Sequence, residues 1–163
     1  MKMSDQGLAV LKFFEHCRLT AYPDPASKTG EPWSIAYGDT GPDVVPGLCI
    51  DQANADARLA LRLSREFEPG VMRLLSVIPD QGQFDGFVDF AYNEGLGNFA
   101  KSNLLARFNN FEFAGCADEF LKWDMADGRE MLGLERRRIA DQALYRGASA
   151  LDAIAKAEAV SSL

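Results

Sequence analysis

The chain has 163 residues, 47% of them hydrophobic, and a formal net charge of −7. That length fits one compact domain, and the apolar fraction excludes a disordered chain. The negative charge argues against a nucleic-acid binder, which needs a cationic surface to displace counterions from phosphates, and against adsorption to anionic lipid. Cys17, Cys49 and Cys116 are irregularly spaced and odd in number, so they form neither a disulfide framework nor a zinc site. They read as small buried hydrophobes in a reducing cytosol.

Ser4 or Asp5 is placed to cap a first helix running to about Cys17, with Val10, Phe13, Phe14 and Cys17 on one face. Lys12 and Glu15 interrupt this segment, and no run reaches the roughly 20 apolar residues of a spanning helix, so neither a signal peptide nor a membrane anchor is expected. From Tyr22 to Gly47 the crowding of Pro and Gly excludes a long helix, and Trp33-Ser34-Ile35-Ala36-Tyr37 predicts a small antiparallel hairpin or three-stranded sheet. Asp51 opens a helical run to about Phe67, which Glu68-Pro69-Gly70 breaks or restarts. Helices are then expected through Phe84, Phe87, Val88 and Ala91 to the breaker Asn93–Gly97, and around 101–108, 112–122, 134–146 and 148–159. The plan is α+β and mostly helical. It has a small sheet-bearing amino-terminal lobe of about residues 1–50, a connecting helix of about 51–68, and a larger helical lobe of about 71–163, with a cleft between the lobes.

Glu15 is the first candidate for chemistry. It falls at the edge of the apolar face near the end of the first helix, where burial raises a carboxyl pKa toward the range of a general acid. Asp24, between Pro23 and Pro25, is a turn carboxylate expected to be exposed, ionised and held on a stiff loop. That suits a base or electrostatic stabiliser opposite the acid. Ser34 on the presumed strand offers a hydroxyl that could hold a water. Each of these has an ordinary structural alternative: a boundary Glu paired with a neighbour such as Arg18, a turn Asp, a strand Ser. The single His16 points about 100° away from Glu15 on a helix, so a dyad is not expected, and one His excludes a His-rich metal cluster. Tyr92, Asn93, Ser102 and Trp123 could line a sugar site, or equally serve as core or caps. Arg136-Arg137-Arg138 reads as a solvated or salt-bridged helix face.

Individually weak, these residues fall in a recognisable order. Phe14-Glu15 is followed by Arg18-Leu19, Ala21-Tyr22, Asp24 and Pro32-Trp33-Ser34-Ile35-Ala36-Tyr37-Gly38-Asp39-Thr40. This segment resembles that of the phage T4-type lysozymes, the muramidase endolysins of glycoside hydrolase family 24. In that family a helix ending in FEG leads to an RLxAYxD loop and a PWTIGYGHT hairpin. Residues 83–95 resemble the family's QFDALVSFAFNVG. Ser102, Leu104 and Leu105 match its STLL, Phe120 and Trp123 its F-x-x-W, and Gly133, Leu134, Arg137 and Arg138 its GL-x-x-RR. The match covers about residues 8–146.

The resemblance implies a single lysozyme-like catalytic domain over residues 1–163. It implies a peptidoglycan hydrolase that cleaves the β-1,4 bond between N-acetylmuramic acid and N-acetylglucosamine. Glu15 would be the general acid, Asp24 the second carboxylate and Ser34 the water-orienting hydroxyl in place of the family's Thr. Tyr92, Asn93 and Ser102 would line the saccharide site. No cofactor or metal is implied. The enzyme is expected to be a monomer that accumulates in the host cytoplasm until a holin-like permeabiliser releases it to the wall. The rival readings are a lytic transglycosylase using Glu15 alone, and a wall-binding or virion protein without activity. The departures from the family pattern are His16 for Gly, Ser34 for Thr, Ala36 for Gly and Asp39 for His.

Overall fold

The computed structural model describes residues 1–23, 30–126 and 129–161, less the side chains of Ala126, Arg129 and Glu130. The chain forms two compact units, one of Lys12–Arg65 and one of Met1–Leu11 with Glu66–Leu163.

In the smaller unit the end of helix α1 (Asp5–Glu15) leads into a three-stranded antiparallel sheet of β1 (Arg18–Pro23), β2 (Trp33–Ala36) and β3 (Asp39–Thr40), in that order. The helix stops two residues short of the expected Cys17 because His16 adopts the left-handed conformation, φ 52°, which cannot continue a right-handed ladder. β2 is the central strand. It pairs Ser34 with Tyr22 on one side and with Thr40 on the other. Asp51 caps helix α2 (Gln52–Arg62), accepting from the Asn54 N–H at 2.8 Å. A π-helical turn, Leu63–Phe67, carries this helix onward.

Polar ties fasten α2 to the sheet within this unit. Asp56 accepts from the Tyr37 hydroxyl and from Lys12 Nζ, each at 2.8 Å. Arg58 pairs with Asp39 and Asp43, and Arg62 donates to the Gly38 carbonyl at 2.9 Å. Burial and donation to Asp56 push the Tyr37 hydroxyl above its ordinary pKa, while the Lys12 ammonium holds Asp56 below the usual carboxylate range.

The larger unit is built on helix. Helix α3 (Glu68–Leu74) restarts the chain with Pro69 in its first turn, where the missing N–H costs nothing. Asp80 and Gln83 form a capping box at the start of α4 (Gln81–Glu94). Then follow α5 (Leu96–Lys101), α6 (Asn103–Asn109), α7 (Phe113–Glu119) with a 3-10 turn at Phe120–Lys122, α8 (Leu132–Tyr145) and α9 (Ala150–Glu158). A two-stranded pairing of β4 (Met125–Ala126) with β5 (Arg129–Glu130) and the short α5 are elements that the sequence pattern did not predict. Phe84, Phe87, Phe90, Phe99, Phe108 and Phe120 are fully buried, with Phe87 in ring contact with Phe99, Phe108 and Phe120. Each such ring contributes roughly 2–3 kcal/mol by leaving water.

α4 and α8 pack so closely that a Cβ built on Gly82 would stand 2.5 Å from the Leu144 carbonyl oxygen, and one on Gly86 2.9 Å from that of Asp141. The amino terminus is tied to the same unit. The Met3 N–H donates to Glu68 and the Ser4 N–H to buried Asp85, both at 2.9 Å. Residues 148–159, read as a last helix, form α9 over Ala150–Glu158, with Ser149 as its cap and Ala153 and Ala157 fully buried.

The cysteine expectation needs correction. Only Cys116 is buried, and burial pushes its thiol up to about 11; Cys17 is half-buried and Cys49 is exposed. Cys49 lies outside the named strands, on an isolated bridge to Thr20 at the margin of the sheet, where no packed layer covers it.

Candidate active site

Glu15 is the last residue of α1 and is half-buried. Two left-handed residues flank its surroundings in the sequence, His16 immediately after it and Ala36 at the end of β2, with φ 52° and 56°. Both stand where the family motif named above has Gly, and each holds a backbone conformation that its side chain disfavours. Gly38, at φ 78°, retains its glycine, and a Cβ built there would come 3.7 Å from Glu15 Oε2. The Glu15 carboxylate therefore lies over the turn that joins β2 to β3. Ser34 is half-buried on the central strand, paired with Tyr22 on one side and Thr40 on the other. Asp24 lies outside the described residues.

The other candidates belong to the larger unit. Tyr92 and Asn93 occupy the last turn of α4, which ends where Gly95 takes φ 87°. Both are half-buried, and the Tyr92 ring packs against Phe67 with centroids 4.9 Å apart. Ser102 is buried and caps α6. Its hydroxyl donates to the Phe99 carbonyl at 2.7 Å and accepts from the Leu105 N–H at 3.1 Å. Trp123 is half-buried and meets Phe90 edge-on, with centroids 5.1 Å apart.

The arginine run is not solvated. Arg137 and Arg138 are buried and salt-bridged, and only Arg136 is half-exposed. Arg137 grips the fully buried Asp89 through two hydrogen bonds, Nε to Oδ2 at 3.1 Å and Nη2 to Oδ1 at 3.0 Å. Arg138, also fully buried, donates to Glu94 at 3.1 Å and to Asn93 Oδ1 at 2.9 Å, and its Nε lies 3.0 Å from Asp141. Burial pushes the Asp89 carboxyl up, but the Arg137 charge and its hydrogen bonds outweigh that and hold it below the usual range. Burial and the negative charge of Asp89 drive Asp141 well above that range. That push favours the neutral form of Asp141, beside the guanidiniums that Arg137 and Arg138 set against Asp89 and Glu94. Sequence reading passed over Asp89 and Asp141. The available signal was an acid set between Val88 and Phe90 in the most apolar stretch of α4, met by three consecutive arginines that had to be matched somewhere.

Among the described residues no helix is long and apolar enough to cross a membrane. The phage lysozyme family model matches residues 12–141. The chain is 39% identical over 145 residues to an endolysin of Bacillus phage B103, covering 89% of this chain and 54% of the relative. It thus spans about half that relative's length. A solved structure of a P22 lysozyme mutant superposes with TM-score 0.80 at 30% identity, over 90% of this chain and 99% of that one. The muramidase domain of SpmX from Asticaccaulis excentricus does so with TM-score 0.79 at 29% identity, over 88% and 97%. The fold, mostly helical with a small antiparallel sheet, is lysozyme-like, and the chain belongs to the phage lysozyme family.

Proposed function

We propose that this protein is an endolysin that hydrolyses peptidoglycan at the β-1,4 bond between N-acetylmuramic acid and N-acetylglucosamine. The observation that carries the reading is Glu15, a half-buried carboxylate at the end of α1, set over a glycine turn in a chain of the phage lysozyme family. In this reading Glu15 protonates the glycosidic oxygen as the bond breaks. Asp24 is the second carboxylate, and Ser34 orients the attacking water through its hydroxyl. Tyr92, Asn93 and Ser102 serve the saccharide, Ser102 by fixing the start of α6 as well as by its place. In the same reading a separate membrane permeabiliser, a holin, gives a monomeric enzyme access to the wall.

Turbidity loss of outer-membrane-stripped cells tests this directly. Wild type should clear the suspension, and Glu15→Gln should not, with its far-UV circular dichroism unchanged. Near-normal lysis by the Gln variant overturns the assignment. Mass spectrometry of the released fragments should find reducing ends. Anhydromuramic ends would instead mean a transglycosylase.

A further inference from the structure

Helix α2 reaches the turn between β2 and β3 through three side chains. Asp56 accepts from the Tyr37 hydroxyl at 2.8 Å, Arg58 pairs with Asp39 at 2.6 Å, and Arg62 Nη1 donates to the Gly38 carbonyl at 2.9 Å. The first two grip side chains. Arg62, half-buried as the last residue of α2, grips the main chain. It does so at the residue over which the acid lies, since a Cβ on Gly38 would stand 3.7 Å from Glu15 Oε2. Glycine leaves the carboxyl that space but brings no stiffness of its own. The bond from Arg62 supplies the stiffness.

We propose that Arg62 is a positioning residue for Glu15, pinning the Gly38 peptide against the carboxyl and keeping a fixed positive charge at that peptide. This rests on the reading of Glu15 as the acid of a peptidoglycan hydrolase and deepens it. A general acid delivers its proton along one direction, so a small misplacement is felt in the rate more than in binding. A guanidinium near a carboxyl also favours the ionised form, and it occupies a carbonyl oxygen whose free negative end would disfavour that form. Loss of Arg62 therefore raises the pH at which Glu15 gives up its proton. The other charges around the turn and the end of α1 have their own places. Arg58 pairs with Asp39 and Asp43, Lys12 with Asp56, and Arg18 lies over the Tyr22 ring. These, with His16 and Asp24, are the same in every variant at position 62, so a difference among those variants reports that position.

The test is kcat and KM on soluble peptidoglycan fragments across pH. Arg62→Met should lower kcat about tenfold with KM little changed, and should move the basic limb of kcat/KM upward by roughly 0.5 pH unit. Arg62→Gln still donates to the carbonyl but carries no charge. It should keep more of kcat and show the same upward shift. Arg62→Lys should restore the limb. If the Met variant fails to fold, the Gln and Lys variants decide. Tyr37→Phe cuts another tie of the same helix to the same turn and should leave the limb in place, which a merely structural role would not allow. The 13C carboxyl resonance of Glu15, titrated in each protein, should follow the same order. A wild-type limb and a wild-type Glu15 titration in the uncharged variants overturn the proposal, as does an equal shift in Tyr37→Phe. A wild-type protein that releases nothing overturns the hydrolase reading instead, and the carboxyl titration still judges the role of Arg62.

Discussion

Arg58 on α2 holds Asp39 on β3 at 2.6 Å, Nη1 to Oδ2, at a position where the family motif carries His. The pair joins a helix to the outermost strand of the sheet, and Asp43 joins it from the following turn. Asp39 at this position thus has a local partner in the Arg58 guanidinium. Asp39→His should lose this pair and cost about 1 kcal/mol, the upper end for a partly exposed ion pair. Thermal unfolding would register that as a Tm lower by roughly 2–4 °C. An unchanged Tm would show that the Asp43 contact alone suffices.

His16 and Ala36 hold the same kind of backbone and should respond differently to glycine. The left-handed region costs a non-glycine residue roughly 1–2 kcal/mol, against about 0.4–1 kcal/mol of extra unfolded-state entropy that a glycine brings. His16 is exposed and loses little packing, so His16→Gly should raise stability by about 1 kcal/mol. Ala36 is 1% exposed, and removing its methyl forfeits about 0.8 kcal/mol of burial. Ala36→Gly should therefore leave stability nearly unchanged. Chemical denaturation of the two variants side by side checks the contrast.

The buried carboxyl pair predicts opposite pH behaviour for its two members. Asp89 has a depressed pKa, so its contribution is present above the ordinary carboxyl value of 3.8 and is lost as pH falls through its folded value. Asp89→Asn takes from buried Arg137 the carboxylate it grips through two hydrogen bonds and should cost about 3–5 kcal/mol at neutral pH. Asp141 has a raised pKa, so above 3.8 the folded protein must take up a proton, and that requirement weighs against folding at neutral pH. Asp141→Asn removes it. This variant should be at least as stable as wild type at pH 7, and its advantage should vanish as pH falls toward 3.8. Equilibrium unfolding from pH 7 to pH 4 distinguishes the two slopes, and parallel curves for wild type and Asp141→Asn would refute the assignment.

Tyr37→Phe tests the polar tie between sheet and helix. It removes the hydroxyl that donates to Asp56 at 2.8 Å and accepts from Gln52 at 2.9 Å. Asp56 keeps Lys12 and Gln52, so no charge is orphaned, and the loss should be about 1 kcal/mol. A loss several times larger would mean that the hydroxyl organises the whole network.

The fold was legible wherever one strong local signal governed it. Asp51 opens a helix, Pro69 restarts one, and the apolar spacing of Phe84, Phe87, Val88 and Ala91 marks a buried face. All of these act over a few residues. Glu15, Ser34, Tyr92, Asn93 and Ser102 could be named because their order along the chain resembles a family. None of them was distinctive alone. What escaped was pairing across long separations. Arg137 and Asp89 are 48 positions apart, and Arg138 and Asn93 45. No periodicity within one helix says that an arginine run will be buried against the helix facing it. The short α5 and the β4–β5 pairing escaped for a related reason: each is too brief for a periodic pattern to develop, and its form is set by neighbouring packing.

The two glycines of α4 bear on this same buried charge. Where a carbon atom on Gly82 or Gly86 would collide with the backbone of α8, a water molecule, which is no smaller than a methyl group's reach, cannot enter either. Along that line of approach, solvent is denied to the seam that holds Asp89, Arg137 and Asp141. Ions that cannot be hydrated must be neutralised by one another or by a proton. Two missing side chains let the helices close over Asp89 and Asp141, and that burial raises the cost of a charge on either.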